Sequence, residues 1–61
     1  MNTLEQLKEY VKDSIKANPQ HKDEILDLYQ LCLDEIEDGG SVQHEISLCA
    51  EDIRQRIEET I

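Results

Sequence analysis

The sequence predicts an all-α fold, a small three-helix bundle or a helical hairpin with a shorter first helix. Three observations carry this. Apolar residues recur at helical spacing in three runs, a capping residue stands before each run, and no stretch alternates in the way a strand does. No internal repeat, low-complexity tract or linker interrupts the pattern, so residues 1–61 read as a single helical domain.

The first helix is expected near residues 4–17. Thr3 followed by Gln6 is a capping-box pair, in which each side chain satisfies the other residue's backbone N–H. Leu4, Leu7, Val11 and Ile15 supply the apolar stripe, and Asn18-Pro19 ends it. The second helix is expected near 20–38, opened by Asn18 as cap with Pro19 at its first position. Ile25, Leu26, Leu28, Tyr29, Cys32, Leu33 and Ile36 give it a broad apolar face, and Gly39 suits the left-handed position after its end. The third helix is expected near 42–60, capped by Ser41, with Val42, Ile46, Cys49, Ala50, Ile53, Ile57 and Ile61 as its stripe. A hairpin centred between Gly40 and Ser41 pairs Ile36 with Ile46, Cys32 with Cys49 and Ile25 with Ile57, which are apolar on both sides.

Size and charge bound what such a domain can do. A chain this short buries only about 60% of its unfolded surface, so a single core is marginal. Without Trp or Phe, that core must be built from Leu, Ile, Val and two Tyr. Fifteen acidic residues against six Lys and Arg give a net charge of -9. That charge opposes ordinary nucleic-acid binding and adsorption to anionic membranes, and it favours a protein partner with a basic surface. No apolar run approaches the length of a membrane span and no leader pattern opens the chain, so the expected location is cytoplasmic.

The stretch DEIEDGGSVQHE, residues 34–45, invites a calcium-loop reading. Asp34, Asp38, Gly39 and Glu45 fall at loop positions 1, 5, 6 and 12. Position 3 is Ile36, which has no oxygen to offer and belongs to the apolar face, so a helix–Gly–Gly–Ser–helix turn is the expected structure. The acids here oppose the helix dipole, at about 0.3–1 kcal/mol each. Two explanations stand beside each other: a chain rich in acids has them everywhere, or Asp34, Glu35, Glu37 and Asp38 form a patch for a basic partner.

Other chemistry is thinly represented. Cys32 and Cys49 are expected to be free thiols packed as small hydrophobes, a disulfide being the less favoured alternative. With no CxxC pair and no phosphate loop or nucleophile–base spacing, the chain is expected to be neither an enzyme nor a binder of metal or cofactor. Leu31, Leu48 and Tyr10 fall off the apolar stripes. Single exposed leucines are ordinary, but leucines ringed by charge also match the layout of contact surfaces. The candidate partner-binding residues are therefore Tyr10, Leu31, Asp34, Glu35, Asp38, Leu48 and Asp52.

The segment LDEIEDGGSVQHEISLCAEDI resembles stretches in very short acidic helical proteins of T4-type tailed bacteriophages. The likeness covers roughly residues 28–58 and rests on the GGS turn, the HEI that follows and the helical period. It implies an accessory protein acting on host or phage proteins, in the host cytoplasm. Sequence alone thus leads to a non-catalytic acidic interaction module, an inhibitor or adaptor. Two alternatives stand. A nucleic-acid mimic needs charges spread along an elongated surface, whereas an adaptor needs an apolar anchor inside the charge. A homo-oligomer is also expected, in the form of a two-fold dimer setting Lys8, Lys12 and Lys16 against the acidic face of a second copy.

Overall fold

The computed structural model describes residues 3–58. Among them are three α-helices and no strand: α1 (Leu4–Ala17), α2 (Lys22–Glu37) and α3 (Val42–Glu58). Their limits follow from local chemistry. The Thr3 hydroxyl accepts the Gln6 N–H at 3.1 Å while the Gln6 side-chain oxygen accepts the Thr3 N–H at 3.3 Å, so the capping box forms as the sequence predicts.

The junction between α1 and α2 differs from expectation. Asn18 does not cap α2; its side-chain amide turns back and donates to the Ser14 carbonyl at 3.1 Å, closing the end of α1 instead. Pro19–His21 forms a 3₁₀ turn, and the α-helix proper begins only at Lys22. A proline fixes the first φ but offers no N–H, and a single tight turn accommodates it before α-helical hydrogen bonding starts. His21 is thereby carried inward and is buried, with its Nδ1 at 3.7 Å from a Glu24 carboxylate oxygen.

The α2–α3 turn matches the sequence reading closely. Asp38 caps α2, which ends at Glu37 rather than Asp38. Gly40 donates to the Glu35 carbonyl at 2.8 Å and Gly39 to the Ile36 carbonyl at 3.1 Å, the two bonds of a Schellman motif. Gly39 takes φ 103°, which an L side chain rarely adopts. Gly40 is constrained by space, since a Cβ there would lie 2.8 Å from the Glu35 carbonyl oxygen. Ser41 then accepts the His44 N–H at 3.5 Å and starts α3. Gly39→Ala and Gly40→Ala are each expected to cost about 1–3 kcal/mol, the first through backbone strain and the second through the clash. Gln43→Ala, exposed and one turn away, should stay within about 0.5 kcal/mol. Urea unfolding of the three variants checks this, and equal stabilities would mean that the turn relaxes freely.

The core is aliphatic. Leu7, Ile25, Ile46 and Ile53 are wholly buried, joined by Val11, Cys32 and Cys49 at 4% exposure. Leu4, Tyr10, Ile15, Leu28, Tyr29, Ile36, Ala50 and Ile57 pack around them. α2 and α3 make the most extensive contact and α1 lies against both, giving a body of 34 × 16 × 15 Å. Two residues assigned to apolar stripes are corrected: Leu26 is 40% and Val42 41% exposed. Three short helices cover only part of each helix surface, so the outer edge of a broad apolar arc stays in water. Ile61, assigned to the third stripe, and residue 60 lie outside the described residues.

Candidate functional site

The thiols show how the helix register builds a surface. Cys32 on α2 and Cys49 on α3 are neighbours, as the hairpin register predicts, and the Cys49 thiol donates to the Leu28 carbonyl oxygen at 3.5 Å. Both are free thiols. Burial pushes the Cys49 thiol up from 9.0 to about 12, with further contributions from Cys32 and Asp52. Cys32 is raised as well, chiefly by burial, although the neighbouring Cys49 thiol works in the opposite direction. Such thiols hold their protons and are poor nucleophiles.

Around this pair the surface dips. Leu28, Leu31, Cys32 and Glu35 of α2 and Glu45, Leu48, Cys49 and Asp52 of α3 enclose a groove of about 110 Å³. A dry cavity of about 150 Å³ takes one benzene ring, so this section of the groove has room for one apolar side chain. Leu31 and Leu48 are 58% and 46% exposed. They stand on opposite helices as apolar walls, with Glu35, Glu45 and Asp52 at the rim. No residue of α1 lines it.

Four of the seven residues singled out from sequence therefore meet in one place: Leu31, Glu35, Leu48 and Asp52. Asp34 lies beside them, in a depression with Asp27, Gln30 and Leu31, where its carboxylate accepts the Gln30 side-chain amide at 3.1 Å. Asp38 is at the C-terminal cap of α2. Tyr10 is half-buried on α1 and packed against the core. Neither of these two lines the groove.

Sequence reasoning missed Leu28 and Glu45 as part of this surface. A signal was present: Leu31 and Leu48 each precede one of the two cysteines that the register pairs. Extending that register to the positions outside the core brings the leucines to the same groove. Taken one helix at a time, they are strays.

The calcium-loop positions do not form a loop. Asp34 and Ile36 are within α2, and Ile36 packs against the core. Among the described residues no three His, Cys, Asp or Glu side chains converge to hold a metal ion. No described helix is long and apolar enough to cross a membrane. No family model, curated protein or solved structure matches this chain.

Proposed function

We propose that this protein is a non-catalytic interaction module, an inhibitor or adaptor, that presents the α2–α3 groove to a protein partner with a basic surface. One observation carries the reading. The two leucines that fall off the apolar stripes come from different helices, yet they wall one depression rimmed by carboxylates. Contact surfaces are built this way, with apolar anchors at the centre and a polar rim that excludes water. A nucleic-acid mimic gains nothing from exposed leucines among its charges, so the anchors favour the interaction module. The likeness of residues 28–58 to short acidic phage proteins is consistent with an accessory role of this kind.

The test is affinity capture from cells that naturally make the protein, comparing the unaltered chain with Leu31→Asp and Leu48→Asp. Both leucines are exposed, so helical content by circular dichroism should be unchanged. Capture of the specific partner should fall about tenfold or more for each variant, as expected when a central anchor is lost. Full capture by both folded variants places the contact elsewhere and removes the reading.

A further inference from the structure

We infer that the occupant of the groove is a basic amphipathic helix of about three turns, lying along α2 and α3 on the side away from α1 and completing a four-helix bundle. The inference rests on the reading above, that this groove is the contact face. It specifies what binds there.

A pair of antiparallel helices has two grooves. Here α1 packs against both α2 and α3 and fills one of them, while the other is bare and contains no α1 residue. The bare groove continues beyond the thiols: Glu24, Asp27, Leu28 and Leu31 of α2 and Arg56 of α3 line its next section. From Glu24 to Glu35 on α2, and from Glu45 to Arg56 on α3, the lined length is about 16 Å at 1.5 Å per residue. That matches three helical turns.

The chemistry narrows the occupant further. There is no strand among the described residues to extend by pairing, and no aromatic residue lines the groove to grip a polyproline segment. Of the common modes of peptide recognition, a helix in a groove remains. Its apolar stripe would meet Leu28, Leu31 and Leu48. On one flank it faces Glu24, Asp27 and Glu35, and on the other Glu45 and Asp52 with Arg56 at the far end, so cations are required on both sides of the stripe except opposite Arg56, as at the flanking positions of paired helices.

A second copy of this chain fits less well. Three of its four lysines, Lys8, Lys12 and Lys16, are on α1, whose apolar face is spent on its own core at Leu7 and Val11, and the fourth, Lys22, opens α2. α1 would bring charge without an anchor. Groove against groove would set carboxylates against carboxylates.

The probe is a 14-residue peptide with leucines at helical i, i+3, i+7 and i+10 spacing and lysines on both flanks. A second peptide has the same residues rearranged to disperse the leucines, and a third has Glu in place of Lys. Binding is followed on the full-length, isotope-labelled protein by amide chemical shifts, and peptide helicity by circular dichroism. A peptide this short is marginally helical alone, so the first peptide should gain helix on mixing and shift the amides around Leu31, Glu45, Leu48 and Asp52. The other two should not.

Leu31→Asp gives the sharpest contrast. It adds a negative charge, so simple electrostatic adsorption of a basic peptide would strengthen, whereas a helix seated on the leucine should bind about tenfold or more weakly. Glu45→Lys, which leaves the apolar walls in place, should also weaken binding and covers the case in which the first variant fails to fold. Equal binding of the rearranged peptide, with Leu31→Asp binding more tightly, would overturn the helix while leaving the acidic interaction module standing. No shifts at millimolar peptide, with native partner capture still dependent on Leu31, would mean an occupant of other chemistry and would also overturn it. So would groove shifts on concentrating the protein alone with a doubling of mass, which would identify a second copy. Partner capture insensitive to both leucines removes the underlying reading instead.

Discussion

Ile46→Ala is expected to leave the protein largely unfolded near body temperature. Ile46 is wholly buried and sits where α3 meets the rest of the core, and among the described residues only Leu7, Ile25 and Ile53 are buried as completely. Truncating such a side chain to Ala typically costs about 2–5 kcal/mol, because apolar contacts are lost and the cavity does not fully collapse. At roughly 0.05–0.15 kcal/mol per residue, the whole chain has only about 3–9 kcal/mol to lose. One kilocalorie moves the midpoint of a domain this size by about 4–8 °C, so a drop of about 10–30 °C in Tm should be measured. Leu26→Ala is the control: the same arithmetic predicts a shift of a few degrees at most, since that leucine is 40% exposed. If Ile46→Ala melts within a few degrees of the unaltered chain, the core has been placed around the wrong residues.

The contrast between Ile46 and Leu26 also marks what the sequence can and cannot disclose. Helix limits are written locally: Thr3 with Gln6 and Gly39 with Gly40 act over three to six residues, and the structure follows them. The direction of each apolar face is local too, because it depends only on the helical period. How wide an arc the neighbours cover is not local, so the period alone points Leu26 and Val42 inward although both are exposed. At the 3₁₀ turn of Pro19–His21 the Asn18 side chain is oriented so that its Nδ2 donates to the Ser14 carbonyl behind it, and its oxygen does not cap the amides ahead. Ser14 is buried for the same reason: its carbonyl receives both the backbone and side-chain N–H of Asn18 as α1 turns inward. The groove lies between these extremes. Each wall leucine is visible as an exception on its own helix, but bringing Leu31 to Leu48 requires the pairing of α2 with α3, which the Gly-Gly turn supplies.

That same pairing places Cys49 where alkali should unfold the protein. The Cys49 thiol lines the groove beside Cys32 and donates to the Leu28 carbonyl oxygen at 3.5 Å. Burial, then Cys32, then Asp52 all disfavour a thiolate there, which raises its pKa from 9.0 to about 12. In the unfolded chain the thiol ionises at its ordinary value, so between pH 9 and about 12 the folded form holds a proton that the unfolded form has released. Stability must then fall as pH rises through this window, by at most about 1.4 kcal/mol per pH unit for one thiol, and the contribution is fully present below pH 9. A Cys49→Ala variant lacks this thiol and its coupling to Cys32, so the difference between the two chains reports the buried thiol pair. Urea midpoints measured under reducing conditions at pH 8, 9, 10 and 11 should decline more steeply for the unaltered chain, while the cavity left by the alanine changes the level of the variant's curve and not its slope. Native labelling by a thiol reagent at pH 8 should be slow for the same reason, because the reagent attacks the thiolate. Parallel curves together with rapid labelling would mean that Cys49 ionises as it does in water, that the floor of the groove is wet, and that the leucine walls above it do not close it from solvent.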